Sequence, residues 1–327
     1  MCGGGENMSV DYIGSVKKSF TDFVRRQPQF CILLLLVILF SLTLKTFTTG
    51  ANILNMLKQS SILMLLSAGM TFVVITGNLD LSIGSTLSLL LCLSIRLQPN
   101  SIAMALIAPF LVAIVIGAFN GYIVGKFNVN SVIVSLAMMS AIAGVTLIYT
   151  SGTMSRGIPD TAYSYLGTGK LFGIPVYVLI VLIVVIVFEL ILRKTTFGRN
   201  LYYYGVNNEA ASVAGINGQF LMIMVFLISS LSVAMATILM GSRLLSASPV
   251  AGTGYELDAI TAILIGGVSL DGGRGNIINT VIGVLLVTVI INGLTLLNVP
   301  FEYRNVVKGL LILTAILTDR KSRWSYE

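Results

Sequence analysis

The sequence predicts an all-α, polytopic membrane protein of about ten transmembrane helices, some short or broken, with both termini in the cytoplasm. Three observations carry this. The 327-residue chain is 56% hydrophobic and only 10% charged, with a mean hydropathy of +0.94, whereas soluble domains carry roughly 25% charged residues. Apolar runs able to approach the ~30 Å of a hydrocarbon core recur along its length. The basic residues cluster between those runs, and with the N-terminus inside every adjacent basic pair falls on the cytoplasmic side. Glycine is abundant at 32 and proline sparse at 7, the balance expected of helices packed through small residues.

Residues 1–29 read as a cytoplasmic segment. They are polar, place Lys17, Lys18, Arg25 and Arg26 before the first apolar run, and have no small-residue cleavage site after a short apolar core. A transmembrane domain follows over 30–318, with candidate passes near 30–47, 60–77, 83–96, 102–125, 131–150, 174–192, 220–240, 256–268, 277–297 and 304–318. The third and eighth runs are short and flanked by glycine-rich polar stretches, which predicts half-helices or tilted pieces. A long external loop is expected at 151–173, a long cytoplasmic one at 193–219, and a cytoplasmic tail at 319–327. In this orientation Arg193, Lys194, Arg199, Arg320, Lys321 and Arg323 lie inside. Topology thus accounts for the net charge of +7. The basic residues form no stripe with interleaved aromatics, so nucleic acid is not an expected partner.

Two absences narrow the chemistry. There is no histidine, which removes imidazole bases, proton relays and histidine-ligated metals. The cysteines, Cys2, Cys31 and Cys92, have no metal-ligand spacing, and Cys92 reads as a small buried hydrophobe. No metal site is expected, and no cofactor bound by this chain.

Three stretches carry polar chemistry. Thr76 to Ser85 (TGNLDLSIGS) interrupts two apolar runs. An aspartate at a bilayer centre costs at least ~2.5–3.5 kcal/mol, so Asp80 must be capped, paired or wet. Either Asp80 or Ser82 is a natural N-cap for the helix that follows, a role compatible with Asn78, Asp80 and Ser82 shaping a polar pathway. Gly266 to Asn276 (GGVSLDGGRGN) is glycine-rich without being a phosphate loop. GxxxxGK[ST] is absent, and the nearest Gly-Lys, Gly169-Lys170, has Ser164 and Leu171 at the other diagnostic positions. Gly266, Gly267, Ser269, Gly272 and Gly273 read as a tight cytoplasmic turn that supplies positive φ and lets helices approach. In the 193–219 loop, Asn208 to Ala214 has helix formers after an Asn cap, with Gly215 at a plausible C-cap. So short a helix needs something to pack against, and a partner protein's groove suits it better than lipid does.

Together these stretches resemble the permease subunits of ribose-type sugar ABC importers, within the wider branched-chain amino acid and sugar permease superfamily. The resemblance runs through Gln59-Ser60-Ser61, Ala68-Gly69-Met70-Thr71 and Asp80-Leu81-Ser82-Ile83-Gly84-Ser85. It continues in Phe197-Gly198-Arg199, Asn207, Ala210-Ala211 and Gly215-Ile216. It is closest at Pro249, Gly252, Gly254-Tyr255-Glu256-Leu257-Asp258-Ala259-Ile260, Gly266-Gly267, Ser269-Leu270, Gly272-Gly273 and Asn292-Gly293. It covers roughly residues 50–320. The sequence departs from the pattern at Asn78 and Asn279, where glycine is usual, and at Asn130-Ser131, where a proline is common.

The resemblance implies an inner-membrane permease acting as a homodimer, an extracytoplasmic sugar-binding protein that delivers solute, and a separate cytoplasmic ATPase that binds ATP and Mg. It also implies a coupling helix around Gly205, Asn207, Glu209, Ala210, Ala211 and Gly215 that docks on the ATPase and drives alternating access. A sugar pathway needs amides and hydroxyls, which adds Asn120 and Asn292 to Asn78, Asp80 and Ser82. Glu189, one turn before the end of its helix, is expected to snorkel to the interface. Glu256 and Asp258 have two open readings: helix-dipole stabilisation, or contact with a basic residue of the binding protein or with Arg243. Ser135, Ser140, Ser229, Ser230 and Ser232 are expected to bond within or between helices. The competing class is an ion-coupled secondary transporter, motivated by Asp80 and the broken helices. A membrane enzyme is disfavoured because no nucleophile, base and orienter come together.

Overall fold

The computed structural model describes residues 28–159 and 161–323. Cys2, Lys17, Lys18, Arg25 and Arg26, and with them nearly all of the expected N-terminal segment, lie outside the described residues. Within these bounds the chain forms thirteen helices and four two-residue strands. They are α1 Pro28–Thr43, α2 Gly50–Ile75, α3 Ile83–Leu97, α4 Ile102–Phe127, α5 Ser131–Thr150, α6 Ala162–Thr168, α7 Val176–Lys194, α8 Thr196–Val206, α9 Asn208–Val213, α10 Gly218–Leu244, α11 Tyr255–Ile265, α12 Ile277–Leu296 and α13 Phe301–Arg323.

Six helices, α2, α4, α5, α7, α10 and α12, are long and apolar enough to cross a membrane, and α1 and α3 are shorter apolar helices. All ten predicted runs are helical. α2 begins ten residues before the expected start, because Asn52, Asn55, Lys58 and Gln59 conceal its first turns from a hydropathy reading.

α2 and α10 form the centre, with long buried stretches from Ser60 to Ile75 and from Leu221 to Ser242. α4 lies against α10 along Gly117, Gly121 and Gly125, where an added Cβ would fall 2.6–3.0 Å from the α10 backbone. Four-residue spacing puts these glycines on one helix stripe, so the backbones meet directly, as in small-residue membrane packing. Thr71 and Thr280 share a hydrogen bond of 2.8 Å between α2 and α12.

The connections gather at two ends. At one, β1 (Ser155–Arg156) pairs with β4 (Ser246–Ala247), and Gln98 Nε2 donates to the Ile158 carbonyl at 2.9 Å. The described residues of the expected 151–173 loop are thus held around α6, whose Tyr163 is fully buried and bonded to Ser94 at 2.8 Å. From this end residues 245–254 turn back into the bundle, and Gly252 N–H donates to Ser88 Oγ of α3 at 2.8 Å. α11 starts there, and its 11 residues span ~16 Å, about half a hydrocarbon core. At the other end lie 76–82, 128–130, α8, α9 and the turn 266–276, held by Gly273 N–H to the Ile75 carbonyl and by Tyr202 to Gly275.

Glu189 corrects an expectation. It is 9% exposed and does not snorkel. Its Oε2 accepts from Ile277 N–H at 2.9 Å, at the first residue of α12, and its Oε1 pairs with Arg193. The carboxylate satisfies an orphan donor and faces the positive end of the α12 dipole.

Candidate functional site

The turn between α2 and α3 is built around one carboxylate. Asp80 is 1% exposed; its Oδ1 accepts from Ser82 N–H at 3.0 Å and from Ser82 Oγ at 2.6 Å, and its Oδ2 accepts from Ser229 Oγ of α10 at 3.2 Å. Ser82 occupies the N-cap position of α3 without a side-chain cap bond, because its hydroxyl is turned to Asp80. Ser82 Oγ in turn accepts from Asn120 Nδ2 of α4 at 3.2 Å, and the buried Asn120 Oδ1 has no partner among the described residues. Charge-assisted bonds to hydroxyl and backbone donors are the compensation a buried carboxylate requires. Asp80, Ser82 and Asn120 therefore form one network that fastens the turn to α4 and α10.

Asn78 lies beside this network, donating to the Thr76 carbonyl and to Thr76 Oγ1 at 3.1 Å each. The departures at Asn130-Ser131 take part: Ser131 Oγ accepts from Leu79 N–H at 3.0 Å, and Asn130 Oδ1 caps α5 by accepting from Val132 N–H at 2.9 Å. Asn292 stands apart. It exchanges two amide hydrogen bonds with Asn52, at 2.9 and 3.0 Å, and joins α12 to the start of α2. Ser229 is the residue of this network absent from the candidate pathway set. An isolated serine on an apolar helix carries no signal that an aspartate distant in sequence will meet it.

The glycine-rich turn meets the same region from the other side. Ser269 N–H donates to the Arg274 carbonyl at 3.3 Å and Gly272 N–H to the Ser269 carbonyl at 3.2 Å. Gly266 follows α11, and Gly266 and Gly267 donate to Ala262 and Leu264. Gly273 N–H donates to the Ile75 carbonyl at 2.8 Å. At Gly272, whose φ is +85°, a Cβ would lie 2.7–2.9 Å from Gly77 N, Gly205 O and Ile75 O. At Gly205 it would lie 1.9 Å from Ile75 O. Three backbones thus converge where no side chain fits: the end of α2, the end of α8 and the 272–273 step.

The 193–219 loop holds two helices where one was expected. Thr195 caps α8 by accepting from Gly198 N–H at 3.1 Å, and Gly198 and Leu201 are its buried positions. The signal was legible in Thr195 followed by Phe197, Leu201 and Tyr204 at helical spacing. Tyr202 donates its hydroxyl to the Gly275 carbonyl at 2.7 Å. Burial raises the Tyr202 phenol above its usual value, and the nearby Glu189 adds to the effect, so the proton needed for that bond is retained.

α9 begins at Asn208 after an Asn cap, as expected: the cap is Asn207, whose Oδ1 accepts from Ala210 N–H at 2.9 Å. Gly215, with φ +88°, closes the helix. Its N–H reaches the Ser212 carbonyl and Ile216 N–H the Ala211 carbonyl, both at 3.0 Å, the double bond of a Schellman ending. Ala211 is the buried residue of α9; Glu209 and Ala210 are exposed, and Val213 is 91% exposed. Between α9 and the 76–78 turn lies a cavity of ≈ 650 Å³, lined by Asn78, Asn128, Tyr204, Asn207, Glu209 and Asp271 among others. The 76–78 turn and the 204–209 segment therefore face one polar space.

At the start of α11, Glu256 accepts from Gly254 N–H at 3.0 Å. Asp258 pairs with Lys308 of α13 at 2.7 Å, a residue neither of its two open readings had named. Among the described residues no group of His, Cys, Asp or Glu is arranged to hold a metal ion.

Residues 52–316 match the family model described as branched-chain amino acid transport system / permease component. The ribose import permease protein RbsC of Bacillus subtilis is 39% identical over 305 residues, covering 92% of this chain and 95% of that protein. RbsC of Haemophilus influenzae is 37% identical over 302 residues, 91% and 94% respectively. The L-arabinose transport system permease protein AraH of Escherichia coli is 33% identical over 325 residues, 96% and 97%. No solved structure matches the chain. A match spanning nearly all the described helices, with relatives of the same length, places the chain in this family of multi-pass membrane permeases.

Proposed function

We propose that this chain is the membrane-spanning subunit of an ATP-binding cassette importer that carries a monosaccharide or a related small polar solute across the inner membrane. The observation that carries this is the similarity, over more than nine-tenths of the chain, to permeases named for ribose and arabinose. A separate ATPase subunit binds ATP and Mg, an extracytoplasmic binding protein delivers the solute, and two copies of the permease form the conduit. Ten passes over 30–318, with both termini cytoplasmic, fit the two ends of the bundle: α8, α9 and the 266–276 turn lie inside, and α6 with its flanking strands outside.

In this reading α9 is the coupling helix. It is capped at both ends, exposed on nearly every residue, and joined through α8 to the three-backbone junction. Push from the ATPase on Glu209, Ala210 and Val213 is transmitted to Gly205, hence to the end of α2 and the turn bearing Asn78 and Asp80. A stiff junction delivers displacement to the pathway, where a flexible loop would absorb it. The neutral amides and hydroxyls of Asn78, Ser82 and Asn120 suit an uncharged polyol, whereas Asn292 serves as an interhelical tie.

Reconstitution of the chain with and without its ATPase tests the proposal. Accumulation of solute is expected only with ATPase and ATP; accumulation by the chain alone, collapsed by an uncoupler, would establish an ion-coupled transporter instead.

A further inference from the structure

We propose that the cavity of ≈ 650 Å³ between α9 and the 76–78 turn is a binding site for an uncharged polyol that enters from the cytoplasm. The permease reading supplies the orientation, and with it the identity of the ligand as released solute. The volume lies within the roughly 300–1,000 Å³ of ordinary small-molecule sites. The walls are held at a fixed spacing. Gly273 N–H donates to the Ile75 carbonyl at 2.8 Å, and a Cβ at Gly77 would lie 3.3 Å from the Asp271 carbonyl oxygen, so the 271–273 step rests directly on the end of α2 and its turn. The site is therefore built before any ligand arrives.

The lining selects the ligand class. Asn78, Asn128, Asn207 and Asn208 bring amides from three separate segments of the chain, and an amide both donates and accepts, as adjacent hydroxyls require. Asn207 Oδ1 is spent on capping α9. By contrast Asn78 Oδ1, the amides of Asn128 and Asn208, the Tyr204 hydroxyl and the Glu209 carboxylate bond to no other described residue. Tyr204 is half-buried and adds an aromatic ring to the wall. The charges on the lining are those of Glu209 and Asp271, and no lysine or arginine lines the cavity. A phosphate or carboxylate ligand is therefore repelled. A metal ion is disfavoured too, since no group of His, Cys, Asp or Glu among the described residues is arranged to hold one. A neutral molecule with several hydroxyls satisfies donors and acceptors alike. Lodged between the turn and the coupling segment, it opposes their approach, so solute accumulating inside slows its own import.

The test starts from the purified full-length chain in detergent. Saturation-transfer NMR should show saturable contact with D-ribose or L-arabinose that neither the phosphate ester of D-ribose nor magnesium chloride displaces. The double variant Asn128→Gly, Asn208→Ala removes two amides that carry no bond in the fold, and glycine keeps the left-handed backbone of position 128, where φ is +49°. Binding should weaken about tenfold in it. Should the double variant fail to fold, Asn208→Ala alone, at an exposed position, should weaken binding about threefold. No contact with either sugar, displacement by the phosphate ester or by magnesium, or undiminished binding in the variant overturns the site. In vesicles holding the chain with its ATPase, its binding protein and ATP, unlabelled sugar inside should slow uptake of labelled sugar, and the double variant should lose that inhibition. Equal uptake into loaded and empty vesicles overturns the inference and leaves the permease reading standing. Uptake without the ATPase overturns the permease reading, and the binding measurement on the purified chain still decides the site.

Discussion

The turn 76–82 and the segment 207–216 are made with the same local devices and put to opposite uses. Each has a polar side chain that satisfies a helix N-terminus, Asp80 through Ser82 N–H and Asn207 through Ala210 N–H, and each has a glycine at positive φ, Gly77 and Gly215. In the turn the capping carboxylate is buried and shared with Ser229 of α10, so capping becomes a weld between helices. In the segment the cap and the closing glycine are exposed, so the same chemistry produces a self-contained helix on the surface. The surroundings of a capping group, more than its type, decide whether it fixes the fold or offers a handle.

The comparison can be broken most forcefully at the weld. Asp80→Ala leaves the donors of Ser82 and Ser229 without their acceptor in a buried site, and should destabilise the chain by about 3–5 kcal/mol, at ~1–3 kcal/mol for each unmet group. Thermal unfolding in detergent reads this, and Asp80→Asn should recover part of the loss. Next, Gly272→Ala puts a Cβ against three backbones at a positive φ, for an expected cost of about 2–4 kcal/mol with loss of coupled transport.

Smaller effects sharpen the contrast. Tyr202→Phe removes one hydrogen bond between α8 and the glycine-rich turn, about 1 kcal/mol in melting. It should lower solute moved per ATP hydrolysed more than it lowers stability. Asn207→Ala removes an exposed cap, costing about 1 kcal/mol. Gly215→Val has open space around it and strains only its own φ, so membrane insertion should be intact while hydrolysis and transport uncouple. Unchanged coupled transport in that variant would contradict the role given to α9.

Much of this was legible in the sequence where the signal is local. The apolar runs are helices because hydropathy and span length are properties of consecutive residues. Asn207 and Gly215 bracket α9 because caps act over three or four positions. The glycine turn announced itself by composition. Where polar residues interrupt an apolar face the reading failed, as at the start of α2. It also fails at α8, whose aromatic periodicity lies within a polar stretch that reads as loop.

The sequence alone determined a histidine-free membrane bundle with polar interruptions at 76–85 and 266–276 and a short exposed helix between them. Tertiary structure alone decided that Asp80 meets Ser229, that Glu189 turns inward to the N-terminus of α12, that Asn292 is consumed by Asn52, and that Ile75, Gly205 and Gly272 share one point. The physical reason is distance along the chain. Partners more than sixty residues apart leave no periodicity to read, and only the packing of helices selects which buried donor will satisfy which buried acceptor.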